Sequence, residues 1–177
     1  SFGHAIDALC MSLGEFEELA ATVTTQIPQW YETDTNKYVD VTSPDNIAIT
    51  GVLSSGAIVS AHTASIPYHG SGMKMEIYGK EGTLVLETDG SAQMGGMTLF
   101  GGQKEDKGLS VIDIPKTLIT APEATFNTPS FNVAQMWIDF GKNISDGTKP
   151  TPDFNDALIR HKLIEAINIS TQEKRKV

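Results

Sequence analysis

Apolar and polar side chains alternate along residues 45–87, and this period of two predicts consecutive β-strands. Ile47, Ile49 and Leu53 are the bulky positions of the first strand, and Ser54-Ser55-Gly56 provides a hairpin turn after it. Three further strands are predicted at residues 57–66, 73–78 and 83–87. The simplest interpretation is one antiparallel sheet with a bulky face and a more polar face. An apolar layer is therefore expected to cover the bulky face.

A helix is predicted at the start of the chain. Ile6, Leu9, Cys10 and Leu13 recur with helical spacing and form one apolar face. Gly14 is well placed to end this helix in a left-handed conformation. Shorter patterns predict additional strands at residues 17–27, 37–42, 97–100 and 110–114.

Two more helices are predicted at the end of the chain. One follows Pro129 and ends near Gly147. Its apolar stripe is formed by Val133, Trp137, Phe140 and Ile144. The other begins at Asp153 and is apolar on two sides, which predicts two neighbouring elements.

Length and charge limit the classes of protein to which this chain can belong. A chain of 177 residues fits one domain and buries roughly 70% of the surface that its unfolded form exposes. The net charge of −9 argues against binding to nucleic acid, and no apolar run is long enough for a membrane span. Cys10 is the only cysteine, which fits a reducing compartment and predicts a cytoplasmic location. The chain begins with Ser1 rather than Met and enters a helical pattern at once, so we expect it to be part of a longer protein.

The familiar signatures of cofactor and metal sites do not occur in the sequence. The glycine pairs at residues 95–96 and 101–102 lie beside predicted strands rather than at the start of a helix, so they form neither a dinucleotide fingerprint nor a P-loop. The four histidines lack metal-binding spacing, and no serine nucleophile elbow occurs. The chain alone is therefore not expected to bind a nucleotide cofactor or a metal ion.

His4 and Asp7 are the candidate site residues. His4 falls in the first turn of the predicted first helix, where the helix dipole favours a neutral imidazole that can exchange a proton. Asp7 lies three residues further on, on the same face, and is placed to orient the ring. The competing interpretation is that His4 caps the helix and Asp7 stabilises its N-terminus. The pair alone does not make an enzyme.

The remaining histidines have simpler interpretations. His62 lies in the middle of a predicted strand on the polar face, where we expect a cross-strand hydrogen bond rather than catalysis. His69 lies in a turn and is expected to be exposed, although the mouth of a ligand site is an alternative. His161 and Glu165 are one turn apart in the last helix and are interpreted as a buried or interface pair.

Three segments of the chain together resemble one known family. They are Gly-His-Ala-Ile-Asp at residues 3–7, Tyr-Gly-Lys-Glu-Gly-Thr-Leu-Val-Leu at residues 78–86, and Asp-Ala-Leu-Ile-Arg-His-Lys-Leu-Ile-Glu-Ala at residues 156–166. In this order they resemble the C-terminal domain of the glucose-fructose oxidoreductase, inositol dehydrogenase and rhizopine catabolism (Gfo/Idh/MocA) family. The first and last segments are especially similar to the branch that contains the fungal galactose-regulon repressor.

The resemblance implies an α+β fold with an open, predominantly antiparallel β-sheet and helices packed on one face, like the C-terminal domain of dihydrodipicolinate reductase. Residues 1–177 would form a single substrate-binding and oligomerisation domain, and an N-terminal Rossmann domain absent from this chain would bind NAD or NADP. His4 matches the family's acid-base or substrate-hydroxyl contact, with Asp7 as its neighbour. The family's exposed sheet face commonly pairs subunits, which predicts a homo-oligomer formed through the side that bears Ser60 and His62.

Three functions follow from these observations. The first is the C-terminal domain of an NAD(P)-dependent oxidoreductase acting on a sugar or polyol, inactive when isolated. The family's catalytic lysine, in a Glu-Lys-Pro motif, and an aspartate four residues before the position of His4 both fall outside this chain. The second function is a non-catalytic transcriptional co-regulator, because the repressor branch lacks an acidic residue at that aspartate position. The third is a free-standing module that only mediates assembly.

Overall fold

A computed structural model describes residues 2–65, 68–94, 96–126 and 128–177. The chain divides into two compact units, Ser1–His69 with Phe154–Val177, and Gly70–Asp153. Each unit combines helix with antiparallel sheet, so the predicted α+β class is confirmed.

The described residues form three α-helices, nine strands and three short 3-10 helices, the last at Ala92–Met94, Lys116–Leu118 and Glu123–Thr125. The helices are α1 (Phe2–Leu13), α2 (Ser130–Asp146) and α3 (Phe154–Glu173). The strands are β1 (Phe16–Thr24), β2 (Gln29–Glu32), β3 (Lys37–Asp40), β4 (Asn46–Leu53), β5 (Ile58–Ala64), β6 (Met73–Tyr78), β7 (Gly82–Thr88), β8 (Thr98–Gln103) and β9 (Ser110–Val111).

The first unit is built on a three-stranded antiparallel sheet in the order β1-β4-β5. Alternation along the strands buries Leu19, Ile49 and Val59 on one face, and α3 packs against β1 with Leu163 and Ile167 buried. Helix α1 packs in turn against α3. The predicted arrangement, with helices covering the bulky face, is confirmed in this unit.

The outer edge of β1 is closed by the end of the chain. The backbone N–H of Leu19 donates to the carbonyl of Val177 (2.8 Å), and the N–H of Val177 donates back to Leu19 (2.9 Å). Two residues along the strand, the N–H of Ala21 donates to Ser170 Oγ (3.0 Å), and Thr171 Oγ1 donates to the Ala21 carbonyl (3.1 Å). These contacts satisfy backbone groups that an edge strand would otherwise offer to another chain.

Strands β2 and β3 form a separate hairpin whose residues are all exposed. Tyr31 and Tyr38 pair across it edge to face, with ring centroids 5.4 Å apart. The sequence predicted a short strand near residues 37–42 and left its partner β2 in a loop.

The second unit contains an antiparallel sheet in the order β6-β7-β8-β9 and the helix α2. Helix α2 attaches through polar side chains: Gln135 Oε1 accepts from the backbone N–H groups of Thr120 and Ala121, and its Nε2 donates to the Leu118 carbonyl. The predicted apolar stripe of α2 is exposed, with Trp137 60% accessible, and the helix, described along its whole length, buries none of its residues. Its end at Gly147, in the left-handed conformation with φ +66°, agrees with the prediction.

The expected single sheet is not what the described residues form. The ladders of β4–β5 and β6–β7 belong to separately hydrogen-bonded sheets, because hairpin pairing is local while the pairing of one hairpin with the next depends on long-range packing. Three residues named in the sequence predictions lie outside the described residues: Ile66 at a predicted strand end, Pro67 in a turn, and Gly95 of a glycine pair. Strand β9 is two residues long, shorter than the predicted 110–114.

Candidate functional site

Helix α1 forms because one of its faces has a place to be buried. Ile6, Leu9 and Cys10 are buried where the helix packs against α3. The helix ends as predicted at Gly14, whose φ is +98° and whose N–H donates to the Cys10 carbonyl (2.9 Å). This confirms the predicted first helix and fixes which face of it points outward.

His4 lies in the first turn of α1, and the residue is exposed. At the adjacent Gly3 an added Cβ would meet no atom within 4 Å, so this turn borders open space. Asp7 follows one turn later and is also exposed. No hydrogen bond joins these two side chains in the part of the chain that the structure describes, and the carboxylate of Asp7 is bound elsewhere.

The partner of Asp7 is Arg160, which projects from α3. Its Nε donates to Asp7 Oδ1 at 2.9 Å. Its Nη1 and Nη2 donate to Glu15 Oε2 (3.0 Å) and Oε1 (2.9 Å), which is a bidentate guanidinium–carboxylate pair. The Arg160 side chain is only 13% exposed, so these bonds lie partly out of water. One cation therefore connects α3 to the second turn of α1 and to the residue just after its end.

Electrostatics around this cluster follow from burial and pairing. Burial lowers the pKa of the Arg160 guanidinium, but the hydrogen bonds with Glu15 and Asp7 outweigh burial, and the pKa is raised above its ordinary value. Burial raises the pKa of the Cys10 thiol to about 11, although the nearby charge of Arg160 acts in the opposite direction. Cys10 is therefore a protonated, free thiol at neutral pH and acts as a core residue.

The other three histidines lie on β5, in a turn and on α3. His62 Nε2 is 3.3 Å from Asn46 Oδ1 on the neighbouring strand, so the predicted cross-strand hydrogen bond is confirmed. His69 is an exposed turn residue with φ +56°. His161 and Glu165 are both exposed on α3, so the buried form of that predicted pair is wrong.

Arg160 is the residue of this site that sequence reasoning did not single out. It lies three residues before Leu163 and seven before Ile167, on the buried stripe of α3. An arginine that continues a buried stripe needs acidic partners, and this is the signal that could have found it. The partners themselves, Asp7 and Glu15, are 153 and 145 residues away in sequence.

Metal and membrane chemistry receive no support from the described ranges. They contain no group of three or more His, Cys, Asp or Glu side chains able to hold a metal ion. Of the helices in those ranges, none has the length and apolar content needed to cross a bilayer.

In the first unit an antiparallel sheet is covered by α3, and α1 packs against α3. This architecture agrees with the C-terminal domain of the Gfo/Idh/MocA family that the sequence resembles, and solved oxidoreductases share the fold. Residues 1–88 match the family model for the C-terminal domain of Gal80p. Over 179 residues the chain is 27% identical to an uncharacterized oxidoreductase of a Synechocystis strain, covering 97% of this chain and 46% of that protein.

Solved structures show the same fold. Gal80p from Kluyveromyces lactis is 22% identical with a TM-score of 0.70, and the match covers 100% of this chain and 44% of that one. Apo levoglucosan dehydrogenase is 21% identical with a TM-score of 0.78, covering 99% and 49%. An NAD-binding oxidoreductase from Klebsiella pneumoniae is 20% identical with a TM-score of 0.76, covering 99% and 48%. The chain thus spans about half the length of the relatives it matches.

Proposed function

We propose that this chain is the C-terminal domain of an NAD(P)-dependent oxidoreductase that acts on a CH–OH group of a sugar or polyol. The observation that carries the proposal is the exposed His4 at the open first turn of α1, within a fold shared with oxidoreductases. Levoglucosan dehydrogenase, one of the structures with this fold, was solved with NADH and L-sorbose. In this proposal residues 1–177 act as a single domain of a cytoplasmic protein.

The cofactor would be held mainly by an N-terminal Rossmann domain of the parent protein. Within the described residues the Gly101-Gly102 pair lies inside β8, and glycines within a strand do not present phosphate-binding N–H groups at a helix start. In this proposal the chain meets the nicotinamide end of the cofactor. When bound, the nicotinamide supplies the hydride acceptor.

His4 is the residue that would handle the substrate proton. In the oxidation direction its imidazole accepts the hydroxyl proton as the carbon gives up hydride, and in reduction it returns that proton. Asp7 is the neighbouring acid in the proposed site, and its carboxylate is held by Arg160. The general base needs an open path to the substrate, which the exposure of His4 supplies.

The test uses the full-length parent protein with a panel of sugars and polyols and with NAD⁺ or NADP⁺. His4→Ala should lower turnover by about a hundredfold or more, the usual contribution of a general base, and leave the cofactor dissociation constant unchanged. His161→Ala is the matched control, because His161 is an exposed histidine of α3. Unchanged turnover in the His4 variant would remove this residue from the mechanism. The isolated chain should show no dehydrogenase activity.

A second candidate function is a non-catalytic regulator, favoured by the match of residues 1–88 to the Gal80p C-terminal domain. In that case the parent would bind a transcription-factor peptide and sense the cofactor without turning over substrate. The sequence of the parent protein distinguishes the two functions. A catalytic protein should carry a Glu-Lys-Pro motif upstream and an aspartate four residues before His4. A protein lacking both and inactive on the whole panel would favour the regulator.

The polar face of the first unit's sheet is proposed to pair subunits. Thr50, Ser60 and His62 are exposed there, opposite the face covered by α3. In a twofold dimer the same face of both copies meets, so these side chains would contact each other across the interface. A mass measurement in solution that finds only monomers at micromolar concentration would contradict this part of the proposal.

A further inference from the structure

Arg160 connects three parts of the first unit. Its Nε donates a hydrogen bond to Asp7 in the second turn of α1. Its Nη1 and Nη2 donate to Glu15, just beyond the end of that helix. Both carboxylates are partly exposed, whereas the Arg160 side chain is 13% exposed. The arginine is thus the fixed member of the cluster, and the two carboxylates are held to it.

The geometry of an α-helix relates this cluster to His4. With 3.6 residues per turn, Asp7 lies about 100° around the axis from the buried Ile6, and His4 lies about 60° further in the same sense. Asp7 therefore occupies the flank between the buried face and the exposed imidazole. The buried apolar side chains determine which face of α1 turns inward, and the hydrogen-bonded charge pair on the flank, which is directional, narrows the remaining freedom of rotation.

We infer that Arg160 is a positioning residue for His4: by holding Asp7 and Glu15 it sets the rotation of α1 and thereby the direction of the imidazole. The inference rests on the proposed function of His4. Arg160 does not touch the reacting groups and acts through α1.

The requirement is for the shape of the guanidinium as well as for its charge. Three N–H groups must donate to two carboxylates in fixed directions, and the planar guanidinium of arginine presents its N–H groups in such directions. A lysine ammonium is a compact point charge on a flexible stem and cannot reproduce all three bonds. Arg160→Lys therefore keeps the charge and removes the directional hold.

The experiment compares Arg160→Lys with Arg175→Lys in the full-length parent. Arg175 is the matched control, because it makes an exposed pair with Glu173 near the end of the same helix. Misplacement of a reacting group lowers the rate of the chemical step rather than substrate affinity, so Arg160→Lys should lower kcat about tenfold and change KM less than about twofold. Arg175→Lys should change neither. A kcat that is unchanged in Arg160→Lys after correction for folded fraction would overturn the inference.

A second measurement does not depend on the proposed function. Amide hydrogen exchange at residues 6–8 of the 177-residue chain, whose N–H groups bond within α1, should become faster in Arg160→Lys and in Asp7→Asn, and stay unchanged in Arg175→Lys. Unchanged exchange in Arg160→Lys would overturn the inference even if His4→Ala were inactive. If His4→Ala leaves turnover intact, the proposed function fails, and faster exchange would still support the hold of Arg160 on α1.

Discussion

Removing the hydroxyl group of Ser170 should clearly lower the free energy of unfolding of the first unit, because this one group makes two hydrogen bonds to backbone groups. Ser170 is 2% exposed; its Oγ donates to the Arg175 carbonyl at 2.6 Å and accepts from the Ala21 N–H at 3.0 Å. Ser170→Ala removes the partner of two part-buried backbone groups, and each loss should cost about 1–2 kcal/mol, the lower part of the range for an unsatisfied buried group. The expected loss in the free energy of unfolding is about 2–4 kcal/mol. With a urea m value of about 2 kcal/mol/M, the midpoint should fall by about 1–2 M.

The matched control for this experiment is Ser145→Ala. Ser145 is an exposed helical serine whose Oγ donates to the Gly141 carbonyl at 3.1 Å, so its loss should change stability by less than about 0.5 kcal/mol. Urea unfolding followed by circular dichroism compares the two variants. If Ser170→Ala unfolds within 0.5 M of Ser145→Ala, by the same order-of-magnitude conversion, the account of the β1 edge is refuted.

Two further predictions concern the exposed stripe and a buried carboxylate. Trp137→Ala should lower the free energy of unfolding by less than about 1 kcal/mol, against about 2–5 kcal/mol for Ile49→Ala. The reason is that Trp137 is 60% exposed whereas Ile49 is 2% exposed. A loss above about 2 kcal/mol for Trp137→Ala in urea unfolding would show that the stripe is covered in solution. Asp45 accepts from the side chain of Asn46 and from the N–H groups of Gln26 and Ile27, which lower its pKa below its ordinary value. Its contribution to stability should therefore be complete above the unfolded pKa of about 3.9 and be lost as pH falls through the folded value. Asp45→Asn should be less stable than wild type at pH 7 and show a smaller loss between about pH 4 and pH 2; equal stability across that range would contradict it.

Local patterns predicted the elements of this protein well. The ends of α1 and α2 follow from Gly14 and Gly147, which both adopt the left-handed conformation. Strand β6 occupies Met73–Tyr78, the residues predicted. These features depend on neighbours in sequence, and sequence carries them directly.

Contacts between distant residues were not predictable in the same way. The Ser170–Ala21 hydrogen bond joins residues 149 positions apart, and no local period encodes such a pair. For α2 the sequence predicted the apolar stripe but not its direction, because Gln135 attaches the opposite, polar side to residues 118–121. A hydrophobic period shows that a face is apolar and leaves open whether its own unit covers it.

The candidate site shows the same division between local and distant information. His4 was predicted from a short motif, and the structure places it exposed at the start of α1. Asp7 was predicted as its neighbour from spacing alone. Its bond to Arg160 depends on the packing of α1 against α3, which spacing on one helix cannot reveal.

One stripe of α3 unites these observations. Arg160, Leu163, Ile167 and Ser170 recur at helical spacing, so they lie on the same side of the helix. The two middle residues are buried apolar side chains, which hold α3 against its neighbours. The two outer residues are polar and make directional bonds, Ser170 with the edge of β1 and Arg160 with α1. The apolar centre of this stripe attaches α3 to its neighbours, and its polar ends bond to β1 and α1. If Arg160 has the role that we infer for it, this one helix also sets the direction of the His4 imidazole.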